Sequence, residues 1–129
     1  MIALLAPAVL ISVAILAALA LLQLAVALGA PLGHFVWGGQ HRVLPAKLRI
    51  ASAFSILIYA AIALVLLDRA GTIDVFAGEE FEAVATWFIF AYFVLGILAN
   101  GVSRSKPERY TMAPTCLVLA ACTLIVALG

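Results

Sequence analysis

The sequence predicts an all-α membrane protein built as a bundle of four transmembrane helices. Three observations predict it: the composition, four long apolar runs, and the way charge is divided between the connections. Hydrophobic types make up 67% of the 129 residues and charged types only 10%, against about 45–50% and about 25% in an ordinary soluble domain. Mean hydropathy is +1.28. Apolar runs cover residues 8–28, 48–67, 81–99 and 110–128, each close to the roughly 20 residues that cross a hydrocarbon layer. Two cysteines and five prolines exclude a disulfide scaffold and a collagen-like chain. The net charge of +1 leaves no overall positive field for nucleic acid, which is not expected as a partner.

Span one, residues 8–28, carries Ala25-Val26-Ala27 near its end, a run that resembles a signal cleavage site. No Lys or Arg precedes it, and it exceeds the apolar stretch of about 7–15 residues of a secretory signal. It is expected to be a retained helix. Gly29 and Pro31 end it, and Pro45 opens span two, following the preference for glycine past a helix end and proline at a helix start. Glu79, Glu80 and Glu82 stand at the amino end of span three, where the helix dipole favours negative charge. Ser105-Lys106-Pro107-Glu108 reads as a capping box opening span four. Pro114 lies inside that span, so a bend or a compensating hydroxyl from Thr111 or Thr115 is expected. Leu28-Gly29 before Pro45, Lys47 and Arg49 weakly echoes Leu95-Gly96 before Pro107-Glu108-Arg109; helix-end chemistry accounts for this as readily as a repeat does.

Charge orients the hairpins. Arg42, Lys47 and Arg49 follow span one, and Arg104, Lys106 and Arg109 follow span three, offset by Glu108 alone. Between spans two and three lie Asp68, Arg69, Asp74, Glu79, Glu80 and Glu82. Short loops rich in Lys and Arg stay in the cytoplasm. Loops 29–47 and 101–109 are therefore expected inside, with the middle loop and both termini outside. The same bias argues against a dual-topology dimer.

Loop one is longer than the roughly 2–8 residues that join bundle helices, and it mixes apolar residues with glycine. An ordered cap, or a short re-entrant or interfacial segment, is expected, with Trp37 at headgroup depth. As a binding surface it offers His34, Trp37, Gly38, Gly39, His41 and Arg42, joined by Arg104 and Arg109 of loop three. A plainer reading, an anchored loop whose glycines only make turns, explains the same residues. His34 and His41 are seven apart, which on a helix puts both on one face. A metal site needs further ligands, with only Glu108 nearby, and haem in membrane bundles is usually held by facing helices. No metal and no cofactor are expected. Cys116 and Cys122 sit about 120° apart on span four, too divergent to bridge, and read as packing residues.

Gln23 and Asn100 are the amide side chains within spans, both toward the basic end. They form either an interhelical clasp or the polar floor of a cavity beneath loop one, with Ser52, Ser55, Tyr59, Thr86 and Tyr92 as further interior polar groups. A helix also satisfies such hydroxyls on its own carbonyls. No ionisable residue lies mid-span, whereas coupled carriers usually need one. Small multidrug carriers use a glutamate in the first helix; here that helix offers Ser12 and Gln23. Glycine-rich phosphate motifs, metalloprotease motifs and serine-nucleophile motifs are absent. Ala14 with Ala18, and Ala51 with Ser55, are small-residue pairs that suit self-association.

The run Leu28-Gly29-Ala30-Pro31-Leu32-Gly33, then Trp37-Gly38-Gly39, Leu44-Pro45 and Leu48-Arg49-Ile50-Ala51-Ser52, resembles an uncharacterised family of small four-helix bacterial integral membrane proteins. Ser103 through Arg109 and Pro114 fit its second basic loop. The resemblance implies a bacterial inner-membrane location and carries no activity with it. On the residues themselves, the expected function is a non-enzymatic membrane protein. It would bind lipid, such as anionic headgroups, or a protein partner, a second copy included, through loops 29–47 and 101–109. The alternatives are a small-solute or lipid transporter or channel with a polar path near Gln23 and Asn100, and a membrane enzyme or haem protein using His34 and His41.

Overall fold

The computed structural model describes residues 2–76 and 78–129. Four helices make up the fold: α1 (Ile2–Ala27), α2 (Ala46–Arg69), α3 (Glu79–Gly101) and α4 (Lys106–Leu128). Each is long and apolar enough to cross a membrane. The shortest have 23 residues, which at about 1.5 Å per residue exceeds the roughly 30 Å of a hydrocarbon core.

The helices run further than the apolar runs do. α1 begins at Ile2, six residues before 8, and continues through Pro7. α4 begins at Lys106 rather than 110, with proline in its first turn. Hydropathy marks where lipid lies, while the helical hydrogen bonds carry on into the polar flanks. α1 and α2 stop in the same way. Gly29, at φ +101°, lets the Ala30 N–H bond the Ala25 carbonyl at 2.9 Å and its own N–H bond that of Val26 at 3.1 Å. Gly71, at φ +82°, repeats the pattern with Asp68 and with Thr72 on Leu67. Both are Schellman motifs, which need the left-handed residue that glycine supplies without a Cβ clash.

Loop two is folded back by one carboxylate. Asp68 accepts the N–H groups of Val75 at 2.8 Å and Phe76 at 2.6 Å. Gly78 precedes α3 with no side-chain cap, and Glu79, Glu80 and Glu82 occupy the first turn, where they face the positive end of the dipole.

The four helices form an antiparallel ring. α1 packs on α2 and α4, α3 packs closely on α4, and the seam between α2 and α3 is the loosest. Gly96 permits the α3–α4 approach, since a Cβ there would come within 2.9 Å of the Cys116 sulfur. Loops one and three share one end, tied by the Ser105 hydroxyl donating to the His34 carbonyl at 2.5 Å. Loop two and the ends of α1 and α4 share the other, where Arg69 donates to the Ala127 carbonyl at 3.4 Å. Six basic residues and Glu108 therefore lie at one end of the bundle, and five acidic residues and Arg69 at the other.

The main core occupies the half toward loop two and is built from Leu16, Leu66, Phe93, Leu119 and Val126 among others. A second, smaller cluster joins Val26, Val36 and Leu44 beneath loop one. Large apolar side chains cover the outside: Leu21, Phe54, Phe88 and Leu98 are all exposed, the pattern of a bundle bathed in hydrocarbon rather than water. Ala14 and Ala18 also face outward.

One local expectation needs correction. Ser105 stands at the start of α4 but makes no side-chain cap. Its hydroxyl goes to His34, and Glu108 turns to the Ser103 hydroxyl at 2.7 Å and the Gly38 N–H at 3.4 Å instead of closing a capping box. Loop one packs on this helix end, so tertiary partners displace the local ones. At Pro114, Thr115 donates to the Thr111 carbonyl at 2.6 Å, one residue along from the Tyr110 carbonyl that the proline leaves free.

Candidate functional site

Loop one is an ordered cap. It contains two short 3-10 turns, Gly33–Phe35 and Trp37–Gly39, and closes on itself through the Gly33 N–H to the Arg42 carbonyl at 2.9 Å. A side chain at Gly33 would overlap the His41 carbonyl, so glycine is required there. Trp37, at φ +52°, is the one non-glycine residue in the left-handed region among the described residues. Such a conformation costs about 1–2 kcal/mol and persists where the surroundings hold it. The indole N–H donating to Ser52 Oγ at 2.9 Å is one such restraint. Gly38 and Gly39 follow with positive φ. Gly39 sits against Ser105, and a Cβ there would overlap that side chain. Loop one is thereby fastened to α2 through Trp37 and to the start of α4 through Gly38, Gly39 and His34.

The histidines do not form a pair on one helical face, because loop one is not a helix between them. His34 lies in the first 3-10 turn, with its Nδ1–H donating to the Gly39 carbonyl at 3.1 Å, and His41 lies beyond the second turn, exposed. Among the described residues, no group of three or more His, Cys, Asp or Glu is arranged to hold a metal ion.

The basic residues divide into two sets. Arg49 donates to the Leu44 carbonyl at 3.1 Å. Arg109 donates to the Ser103 carbonyl at 3.4 Å and lies 4.9 Å from the Tyr110 ring centre. These two brace the ends of the loops. Arg42, Lys47, Arg104 and Lys106 are exposed, pointing their charge outward from the same end of the bundle.

Directly beneath the cap lies a cavity of about 440 Å³. All four helices and loop one contribute to it. Gln23, Ser55, Tyr59 and Asn100 line it together with Trp37 and Glu108. It ends on Leu19, Phe93 and Leu119, which also belong to or pack on the main core, so it is blind toward loop two. Tyr92 and Leu95 line it as well while remaining 47% and 64% exposed on the outside of α3. Its mouth therefore faces sideways, along α3.

Gln23 and Asn100 share this cavity without bonding each other. The Gln23 amide donates to the Tyr59 hydroxyl at 3.4 Å, joining α1 to α2. Its carbonyl oxygen is buried with no partner. Asn100 turns onto its own helix, donating to the Gly96 carbonyl at 2.8 Å and to the Cys116 sulfur at 3.6 Å. Ser55 donates to the Ala51 carbonyl at 3.1 Å. Thr86 and Thr123 are likewise satisfied within their helices. Cys116 and Cys122 are both free thiols.

Glu108 is the residue whose importance the sequence hides. It is only 7% exposed, bridges loop one to loop three, and lines the cavity. Its one visible signal is that no other acidic residue falls at the basic end. Phe35, Met112 and Cys116 also line the cavity, and nothing in their spacing marks them. Comparison with known proteins found no matching family model, no curated relative and no similar solved structure.

Proposed function

We propose that this chain is a non-enzymatic, multi-pass protein of a bacterial inner membrane, whose basic end is cytoplasmic and binds anionic lipid headgroups. A second copy or another membrane protein with an acidic surface would use the same face, and the outward Ala14 and Ala18 offer a place for helices to meet within the bilayer. One observation carries the reading: loop one and loop three are fastened together, so that Arg42, Lys47, Arg104 and Lys106 stand exposed on one surface. Each such residue near an anionic leaflet contributes about 1 kcal/mol. Arginine adds a two-pronged fit to phosphate that lysine lacks. The bacterial location rests on the resemblance in loops one and three.

Changing Arg42 and Arg104 together to lysine keeps the charge bias that sets topology. Phosphatidylglycerol and cardiolipin retained through purification are expected to fall by about fivefold, as for the loss of roughly 1 kcal/mol of phosphate bonding. Unchanged retention would mean that these charges orient the chain and do nothing more specific.

A second reading, a transporter of a small solute or lipid, is favoured by the cavity at Gln23 and Asn100. It requires the core around Leu66 and Leu119 to open toward loop two.

A further inference from the structure

We propose that the cavity beneath loop one binds the protonated head of a lipophilic amine, with the apolar tail of the same molecule lying along the seam between α2 and α3. The proposal rests on the membrane reading of the four helices but not on lipid binding at the basic face.

The head site is defined by what it lacks. The cavity has the size of a small-molecule site, which is about 300–1,000 Å³. None of the residues lining it is Lys, Arg or His. Its one charged residue is Glu108, held in place by Ser103 and Gly38. The Gln23 oxygen is a second acceptor, on a side chain only 7% exposed, and it has no donor. A buried carbonyl without a donor costs about 1–3 kcal/mol, which a ligand N–H recovers. An alkylammonium group brings three N–H donors and a positive charge. Its charge complements Glu108 and its N–H groups suit either acceptor, where an alcohol offers a single O–H and no charge. A carboxylate or phosphate would meet a like charge at Glu108. Phe35, Trp37, Tyr59 and Tyr92 complete the walls, and aromatic faces favour cations, most of all where water is excluded.

The tail site follows from the mouth. Tyr92 and Leu95 open the cavity toward the outside of α3. On the same seam, one turn further toward loop two, runs an apolar trough of about 470 Å³ lined by Ile58, Ile62, Phe81 and Phe88. Ile58 adjoins Tyr59 in sequence, so head chamber and trough are successive along α2. A single-chain amphiphile from the bilayer would place its head in one and its chain in the other. Lateral access also avoids the exposed cations on the cap, which would repel an amine approaching from water.

Saturable binding of radiolabelled dodecylamine, dodecanol and dodecanoate to the full chain in maltoside micelles tests this directly. Dodecylamine is expected to bind at one per chain, with dodecanol weaker by about tenfold, as for one lost charge-assisted hydrogen bond, and dodecanoate not saturable. Glu108→Gln removes the charge, keeps one acceptor oxygen for Ser103 or Gly38, and is expected to weaken the amine by about tenfold and dodecanol by clearly less. Gln23→Leu is expected to weaken the amine as well. Equal binding of amine and alcohol to the unaltered chain, or amine uptake that never saturates, overturns the proposal without reference to any variant. Retention of anionic lipid at the basic face is a separate measurement, so failure of one does not imply failure of the other.

Discussion

Leu119→Ala is expected to destabilise the folded bundle by about 2–3 kcal/mol, the lower part of the range for a leucine lost from a packed core. Leu119 is fully buried, packed in the main core, and forms the floor of the cavity. In a bilayer the hydrophobic contribution is small, because lipid chains are as apolar as the core. What is lost is close packing, the many weak dispersion contacts that a void cannot make. Leu117, two residues away on the same helix and 58% exposed, makes few of those contacts. Leu117→Ala is expected to change stability by less than about 0.5 kcal/mol. Reversible unfolding in mixed micelles, followed by helicity, separates the two. Equal effects would mean that α4 does not present Leu119 to the core.

Glu108→Ala is expected to release loop one. The substitution leaves the Gly38 N–H and the Ser103 hydroxyl without their acceptor, and a hydrogen bond to a charged group contributes about 1.5–3 kcal/mol. The Trp37–Ser52 bond and the His34–Ser105 bond remain, so the cap loosens while the four helices stay formed. Trypsin reads this well, because Arg42 is exposed within the loop. For a loss of 2 kcal/mol, cleavage after Arg42 is expected to quicken by roughly 30-fold. Glu108→Gln, which keeps one acceptor oxygen, is expected to fall between. An unchanged cleavage rate in Glu108→Ala would show that Trp37 and Ser105 alone hold the loop.

The four helices were legible because a bilayer imposes a simple requirement, about 20 apolar residues in a row, and the chain meets it four times. Glycine and proline at Gly29 and Pro45 marked turns whose chemistry is local. The boundaries at Ile2 and Lys106 were not legible, since a helix needs only backbone geometry to continue beyond the lipid. The candidate site was legible in part. Gln23, Ser55 and Tyr59 stand out as polar residues in apolar runs, with Asn100 at the end of one, and all four line one cavity. Which of them bond one another depends on how each helix is rotated about its axis, and a helix that is apolar all round carries no stripe to reveal that rotation. Glu108 shows the same limit from the other side. Its spacing from Ser105 suits a local cap, and only the placement of loop one decides that Ser103 and Gly38 take its oxygens. How the two histidines stand to each other was not legible either, because a seven-residue interval is informative only inside a helix, and residues 34–41 are not one.

The division of charge between the two ends of the bundle underlies both the orientation and the proposed lipid face, so sidedness is the most direct test. Thr72, in loop two, and Gln40, in loop one, are both exposed and uncharged, so Thr72→Cys and Gln40→Cys leave the charge pattern intact. With Cys116 and Cys122 replaced by alanine, a membrane-impermeant maleimide is expected to label Thr72→Cys in intact bacterial cells. It is expected to label Gln40→Cys only after the membrane is opened. Labelling of Gln40→Cys in intact cells, with Thr72→Cys protected until the membrane is opened, would contradict the orientation and with it the cytoplasmic basic face.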